Sequence, residues 1–561
     1  MKKSLFKSRL LWGLIFVAFV LSSAIADEKT DKVDKLFAKW DSTISPGAAL
    51  AIIKDGEIIY KRGYGMANLE HSVPITSTSV FRIGSTSKQF TASCIAILAL
   101  EGKISLDDDI RKYIPEIPKY QKPITVRNLV HHTSGLRDYT GLLPLAGYRT
   151  DADSPTIVET IEMLARQKSL NFTPGEMYSY SNSGYFLMSI IVERVSGKSL
   201  NDFAREHIFE PLGMKNTHFH DDFQMIVKNR ADGYSPRKNG FRIHMTNWDH
   251  VGDGGIYTTV EDLYLWDQAF YNNKLGKEFI ELIQTPGVLN NGEKLDYAFG
   301  LRKSNYKGLK TVGHSGGWVA FSSHMVRYPE QKFTVVCLAN SGTLSPGSLC
   351  RKIADIYLAD QFKEEPAEKP KKEKKITPIA LPREDLEEKA GNYHDEKSGM
   401  WITVSVEDNK LNIIVRGRKY LLPPVSKTRF QTLDAPFAVS LDFSPAVKGR
   451  ARKVKLTMRG REGISLQKAP KMVPLTPVKL REYAGKYYSD ELDTTYKLGV
   501  EKDALVFKHR NARPRSPLQA MASDEFVWGR GNINFVRNKK KKIIGFKFVS
   551  GRATFEFIKR K

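Results

Sequence analysis

Hydrophobic patterning changes character along the chain, and the changes divide it. From Ala48 the sequence reads AALAIIKDGEIIYKRGYG, two β-rich runs around Asp55-Gly56, a dipeptide suited to the positive φ angles of a tight turn, so a hairpin is predicted here. Apolar residues then recur at helical spacing, as in Pro155 to Gln167 and Phe186 to Val195, with Pro and Gly between the segments. Strand character returns at Ala320 to Arg327 and Phe333 to Leu338. Strands at both ends of this region can pair in one antiparallel sheet with the helical middle packed beside it, an α+β layout.

After Phe362 comes KEEPAEKPKKEKK, residues 363–375, which holds no apolar side chain larger than Ala and is expected to be an exposed linker. Beyond it short alternating runs are separated by turn residues, and the pattern repeats. Leu386-Glu387-Glu388-Lys389-Ala390-Gly391-Asn392-Tyr393 is echoed 94 residues later by Leu480-Arg481-Glu482-Tyr483-Ala484-Gly485-Lys486-Tyr487. Each copy leads into paired strands, Trp401 to Val406 with Lys410 to Val415, and Thr495 to Val500 with Ala504 to Lys508. Two small all-β domains are expected, residues 376–470 and 475–561, each long enough for a closed, lipocalin-like barrel of about eight strands.

The amino end differs from both regions. Lys2, Lys3, Lys7 and Arg9 precede the apolar run Leu10 to Leu21, and Ala24-Ile25-Ala26 follows, the layout of a secretory signal peptide over 1–26. The run is shorter than the ~20 residues of a bilayer span. Cleavage after Ala26, export to the periplasm or medium, and membrane contact only through an uncleaved segment are the expectations. An α+β unit over 27–362 then completes the domain plan.

Composition narrows the function classes. The 561 residues exceed one core's usual span, while 41% hydrophobic and 27% charged residues fit a soluble globular protein. The net charge of +25, densest at Lys539 to Lys542, reads as a solvated basic face, because basic and aromatic residues are not interleaved as in nucleic-acid modules. Cys94, Cys337 and Cys350 allow at most one disulfide, and none belongs to a metal-binding pattern. No metal or cofactor is expected.

Three clusters carry candidate chemistry. In Ser85-Thr86-Ser87-Lys88, which opens the apolar run Gln89 to Leu100, a three-residue spacing puts the amine and the hydroxyl on one helix face. A desolvated lysine beside a helix N-terminus gives up its proton more readily and can take that of Ser85. Tyr180-Ser181-Asn182 follows a Pro-Gly turn, with a helix expected from near Gly184. Tyr180 beside a cationic lysine would have its oxyanion favoured and so serve as general base, and Asn182 could offer its amide to a substrate carbonyl. In Gly313-His314-Ser315-Gly316-Gly317, just before a strand, the glycines let a substrate backbone approach. The backbone nitrogens of Ser85 and Gly317 could form an oxyanion hole, and His314 could hold the substrate end or act electrostatically on Lys88 and Tyr180.

S-x-x-K, Y-S-N and H-S-G in this order resemble the class C β-lactamase and penicillin-binding serine hydrolase family. Leu129 to Leu136, Ile208 to Met214 and Gly252 to Tyr257 extend the likeness over about residues 45 to 345. The resemblance implies an antiparallel sheet beside a helical subdomain, and acylation of Ser85 followed by hydrolysis. Where β-lactamases of this type carry Lys-Thr-Gly, this chain has His314-Ser315-Gly316, as D-aminopeptidases and some esterases do. D-aminopeptidases are similar also in carrying two C-terminal β-barrel domains. A small peptide, amide or ester substrate is therefore expected, with a peptidase on small or D-amino-acid-containing peptides favoured over an esterase, a β-lactamase or a non-catalytic peptide- or cell-wall-binding protein. One rival site remains, since residues 313–317 also satisfy G-x-S-x-G, which would make Ser315 the nucleophile if a strand, sharp turn and helix surround it.

Overall fold

The computed structural model describes residues 28–363, 378–395, 400–415, 418–433, 438–445, 452–458, 463–469, 475–508, 517–529 and 531–561. The leader segment 1–26 and nearly all of the 363–375 linker lie outside the described residues.

The first unit is built on a six-stranded antiparallel sheet. Its strands are β1 (Ala48–Lys54), β2 (Glu57–Tyr64), β3 (Arg302–Tyr306), β4 (Leu309–Trp318), β5 (Phe321–Tyr328) and β6 (Phe333–Ala339), in the order β3-β4-β5-β6-β1-β2. Segments from the beginning and end of this unit meet inside the sheet, where Ala48 pairs with Ala339 and Leu50 with Cys337. Asp55 and Gly56, at φ 52° and 88°, make the expected hairpin turn. β1 and β6 are apolar on both faces because both are covered. On one side Leu349, Cys350 and Ile353, on the helix Pro346–Tyr357, share a core with Leu50, Val335 and Cys337. All three cysteines are buried free thiols.

The other side is covered by the helix Val260–Asn272. Its Asp267 accepts from Arg327 Nε of β5 at 2.9 Å and from Thr334 Oγ1 of β6 at 2.8 Å, and the ion pair is almost wholly buried. Removing one partner strands the other charge in the core. Asp267→Ala is therefore expected to destabilise the protein by about 3–5 kcal/mol in denaturant melts.

The helical subdomain centres on α1 (Lys88–Leu100), buried on almost every side and packed against α2 (Asn182–Ser196). α2 starts at Asn182, two residues before the expected Gly184. A small sheet orders Phe81–Arg82, Ile256–Thr258 and His218–Phe219 side by side, bringing the Gly252–Gly255 loop to the chain that enters α1.

The C-terminal region holds two eight-stranded antiparallel sheets, the first within 391–468 and the second within 485–560. In each, the first strand pairs with the last, Tyr393 with Lys468 and Tyr487 with Lys559. Among the described residues each sheet curls into the expected eight-stranded barrel with one seam lacking ladder hydrogen bonds. The hydrogen-bonded order ends between Arg418–Leu422 and Arg429–Gln431 in one sheet and between Ala504–Lys508 and Gln519–Ala522 in the other, so both are nearly closed barrels. The echoed motif has a structural reason. In each copy a buried tyrosine donates its hydroxyl four residues back, Tyr393 to Lys389 O and Tyr487 to Tyr483 O, both at 2.8 Å. Gly391 and Gly485 hold φ of 141° and 148°, where a Cβ would meet a lysine Cε of the last strand at 2.8 and 2.7 Å.

Candidate active site

Ser85 lies at the junction of strand, turn and helix. Phe81–Arg82 leads into the 3₁₀ turn Gly84–Ser87, and α1 begins at Lys88, so Ser85 and Lys88 face the same way. Gly84 holds φ 50°, and a Cβ there would stand 2.7 Å from Gly317 N. At Gly316 a Cβ would fall 1.9 Å from Ile83 O. These glycines let β4 lie against the serine turn.

Lys88 is fully buried and is held on three sides. Its Nζ donates to Ser85 Oγ at 3.2 Å, to Asn182 Oδ1 at 2.8 Å and to the main-chain oxygen of Asp253. Desolvation brings its pKa down to about 8, against the opposing charges of Asp253 and Asp138. A measurable fraction is therefore the free amine near neutrality, within hydrogen-bond reach of the hydroxyl.

The orientation of Asn182 is set by Asp138, whose Oδ2 accepts from Asn182 N at 2.9 Å and from Nδ2 at 3.0 Å. The amide nitrogen expected to face a substrate carbonyl is thus engaged inside the protein, while the oxygen faces Lys88. The ring of Tyr180 lies 4.9 Å from Lys88 Nζ. Its phenol is shifted opposite to the sequence-based expectation: desolvation pushes it up, outweighing a hydrogen bond with Ser85. Tyr180 as a residue is 38% exposed, so the shift reflects the surroundings of its hydroxyl. A phenol in this state remains a proton donor at neutral pH.

His314 is buried, and its ring is committed on both sides. Nδ1 donates to Ser315 O at 2.6 Å, which leaves Nε2 to accept from Tyr297 OH at 3.1 Å. Burial and the charge of Lys88 lower its pKa to about 3, so the ring is neutral. Beyond it, β4 has a free edge. The ladder to β3 ends at the pair Arg302–Gly313, whereas residues 312–318 pair with β5 on the other side. Ser315, Gly316 and Gly317 thus run past Ser85 with one edge open to an extended substrate. Ser315 itself is mid-strand, with neither sharp turn nor following helix, which removes the G-x-S-x-G rival.

Three further groups complete the arrangement. His132 packs against Tyr180 with ring centroids 4.2 Å apart and planes tilted by 35°, accepts from Ser181 N through Nδ1 at 3.2 Å, and is kept neutral by burial. Tyr139 donates to Asp253 Oδ1 at 2.9 Å. Burial raises the Asp253 carboxyl to about 6, against the charge of Lys88. His132 and Asp253 sit in the motif-like segments 129–136 and 252–257, but nothing in residue type marked a main-chain oxygen as a lysine ligand. Among the described residues no group of three or more His, Cys, Asp or Glu is placed to share a metal ion.

A serine, a buried lysine of lowered pKa and a protonated tyrosine beside an open strand edge define a serine hydrolase of the acyl-transfer kind. Residues 33–356 match the family described as Beta-lactamase, and the chain belongs to that family. It is 32% identical to penicillin-binding protein 4* of Bacillus subtilis (strain 168), over 68% of this chain and 87% of that protein. It is 26% identical to a D-aminopeptidase of Brucella anthropi over 86% of each. Among solved structures, the octameric penicillin-binding protein homologue from Pyrococcus abyssi superposes with a TM-score of 0.53 at 26% identity, over 80% of this chain and 100% of that one.

Proposed function

We propose that this protein is an exported amidase or peptidase that cleaves small D-amino-acid-containing peptides or amides through an acyl-enzyme on Ser85. The observation that carries the reading is the three-way hold on Lys88, which keeps a lysine of lowered pKa 3.2 Å from the serine hydroxyl. Neutral Lys88 takes the Ser85 proton as Oγ attacks the carbonyl carbon. The developing oxyanion is received by the backbone N–H groups of Ser85 and Gly317. Tyr180 donates its proton to the departing amine and regains one from Lys88. A water molecule then attacks the acyl-enzyme while the same groups remove its proton, which releases the acid and restores Ser85. His314, neutral and held by Tyr297 and Ser315, stands as an uncharged wall where a Lys-Thr-Gly sequence would place a cation.

The likeness to a D-aminopeptidase over 86% of each chain supports the choice of D-substrates. The leader-like residues 1–26 support export, which amino-terminal sequencing of the protein recovered outside the cytoplasm tests. For the activity, D- and L-aminoacyl p-nitroanilides, a p-nitrophenyl ester and a chromogenic cephalosporin are compared. Faster release from the D-anilides is expected, and preference for the ester or cephalosporin overturns the substrate assignment.

The pH dependence follows from Lys88. The reactive form is the free amine, present above its pKa, so kcat/KM rises with pH and levels off above about 8. Asp253 stabilises the ammonium, so Asp253→Asn, which can still accept from Tyr139, moves this limb to lower pH. A profile unmoved by the substitution contradicts that coupling.

A further inference from the structure

A second cavity adjoins Ser85 on the side away from Tyr180 and His314. Its volume is about 50 Å³. About 10–15 Å³ of such space holds one water, so this cavity has room for a small polar group such as a carboxylate. Its walls include Arg82, Trp248, His250, Asp253 and Trp318.

These walls are unusual in their unmet hydrogen bonding. Arg82 Nε, Trp248 Nε1 and Trp318 Nε1 are buried N–H donors without an acceptor, and His250 Nδ1 is also unpaired. Arg82, Trp248 and His250 are 4%, 1% and 3% exposed. Among the described residues no carboxylate forms an ion pair with Arg82, although its charge acts on Asp253 and Asp249 from a distance. Asp253 has its own partner in Tyr139. The guanidinium has the Tyr257 ring beside it at 5.8 Å but no carboxylate partner, and since an arginine keeps its charge in any protein environment, its burial here calls for an anion. His250 supplies the remaining atom. Its Nε2 donates to Thr160 Oγ1 at 2.7 Å, because the hydroxyl proton of Thr160 goes to Thr156 O, so Nδ1 is a lone pair; burial and the charge of Arg82 lower the ring's pKa to about 4, and an anion that offsets that charge favours proton uptake there.

We propose that this cavity is a carboxylate-binding subsite for the acyl-donating half of the substrate, with Arg82 as counter-ion and the Trp248 and Trp318 indoles as flanking donors. The inference rests on the hydrolase reading. Tyr180, which protonates the leaving group, lines the cleft on the other side of Ser85 together with His314, so the leaving half lies there and the acyl half here. The substrate class this names is an amide whose acyl residue carries a carboxylate, such as a D-aspartyl or D-glutamyl residue.

The test compares D-aspartyl and D-glutamyl p-nitroanilides with their D-asparaginyl and D-glutaminyl counterparts, which match them in shape without the charge. In the intact protein the acidic member of each pair is expected to have the higher kcat/KM, by about tenfold to a hundredfold, the worth of a charge-assisted hydrogen bond. Arg82→Gln brings that ratio close to one. Trp318→Phe keeps the ring, removes the donor and lowers the ratio several-fold, so it decides the matter if Arg82→Gln does not fold. Preference for the neutral members, or a ratio unmoved in the folded variants, overturns the subsite and leaves Ser85 catalysis standing. Absence of turnover together with absence of an acyl adduct on Ser85 overturns the hydrolase reading, and the subsite falls with it.

Discussion

Replacing Lys88 with alanine is expected to lower kcat/KM by about 10³-fold or more, the upper part of the range for a general base that also activates a nucleophile. The physical reason is specific to this site. Ser85 Oγ has Lys88 Nζ at 3.2 Å, and the two histidines packed beside Tyr180, His132 and His314, are hydrogen-bonded to Ser181, Tyr297 and Ser315 and are held neutral by burial. Neither is placed as a substitute base. Lys88→Arg keeps the charge but cannot be deprotonated in this pH range, so it is expected to be as inactive as alanine while preserving more of the packing against Asn182 and Asp253. A melting comparison separates the effects: alanine loses stability and activity, arginine chiefly activity. An arginine variant of near-native activity would remove Lys88 from the proton path.

Tyr180→Phe is expected to cost about 10²–10⁴-fold on amides. The direction of the Tyr180 shift supports the donor role proposed for it. A phenol pushed up by desolvation is a poor standing base but a ready donor to an amine that cannot depart as an anion. The loss should therefore depend on the leaving group, large for an unactivated amide and small for a p-nitrophenyl ester, whose phenolate leaves unprotonated. Equal losses on both would mean that Tyr180 acts through positioning alone.

Much of this arrangement was legible in the residues themselves. Ser85, Lys88, Tyr180 and the His314 to Gly317 run announce themselves by spacing, and the Asp55-Gly56 hairpin, the returning strands and the doubled β pattern follow from local periodicity. What the residues could not state was long-range placement. Asp138 orients Asn182 across 44 residues, and the hold of Asp253 on Lys88 is through a carbonyl that every residue possesses. The shift of Tyr180 was expected downward because a neighbouring ammonium can be inferred from motif spacing, while the desolvation that outweighs it depends on packing. The barrel ends show the same limit: alternation reveals strands, but whether the last hydrogen-bonded seam closes depends on twist and register summed over the sheet.

The central claim is that Ser85 is the acylated nucleophile, and the most direct test is mass spectrometry of the protein quenched during turnover of a D-aminoacyl ester or anilide, with peptide mapping of the adduct. One acyl group on the peptide bearing Ser85, absent from Ser85→Ala, is the predicted result. An adduct on any other residue, or steady turnover by Ser85→Ala, would contradict the account.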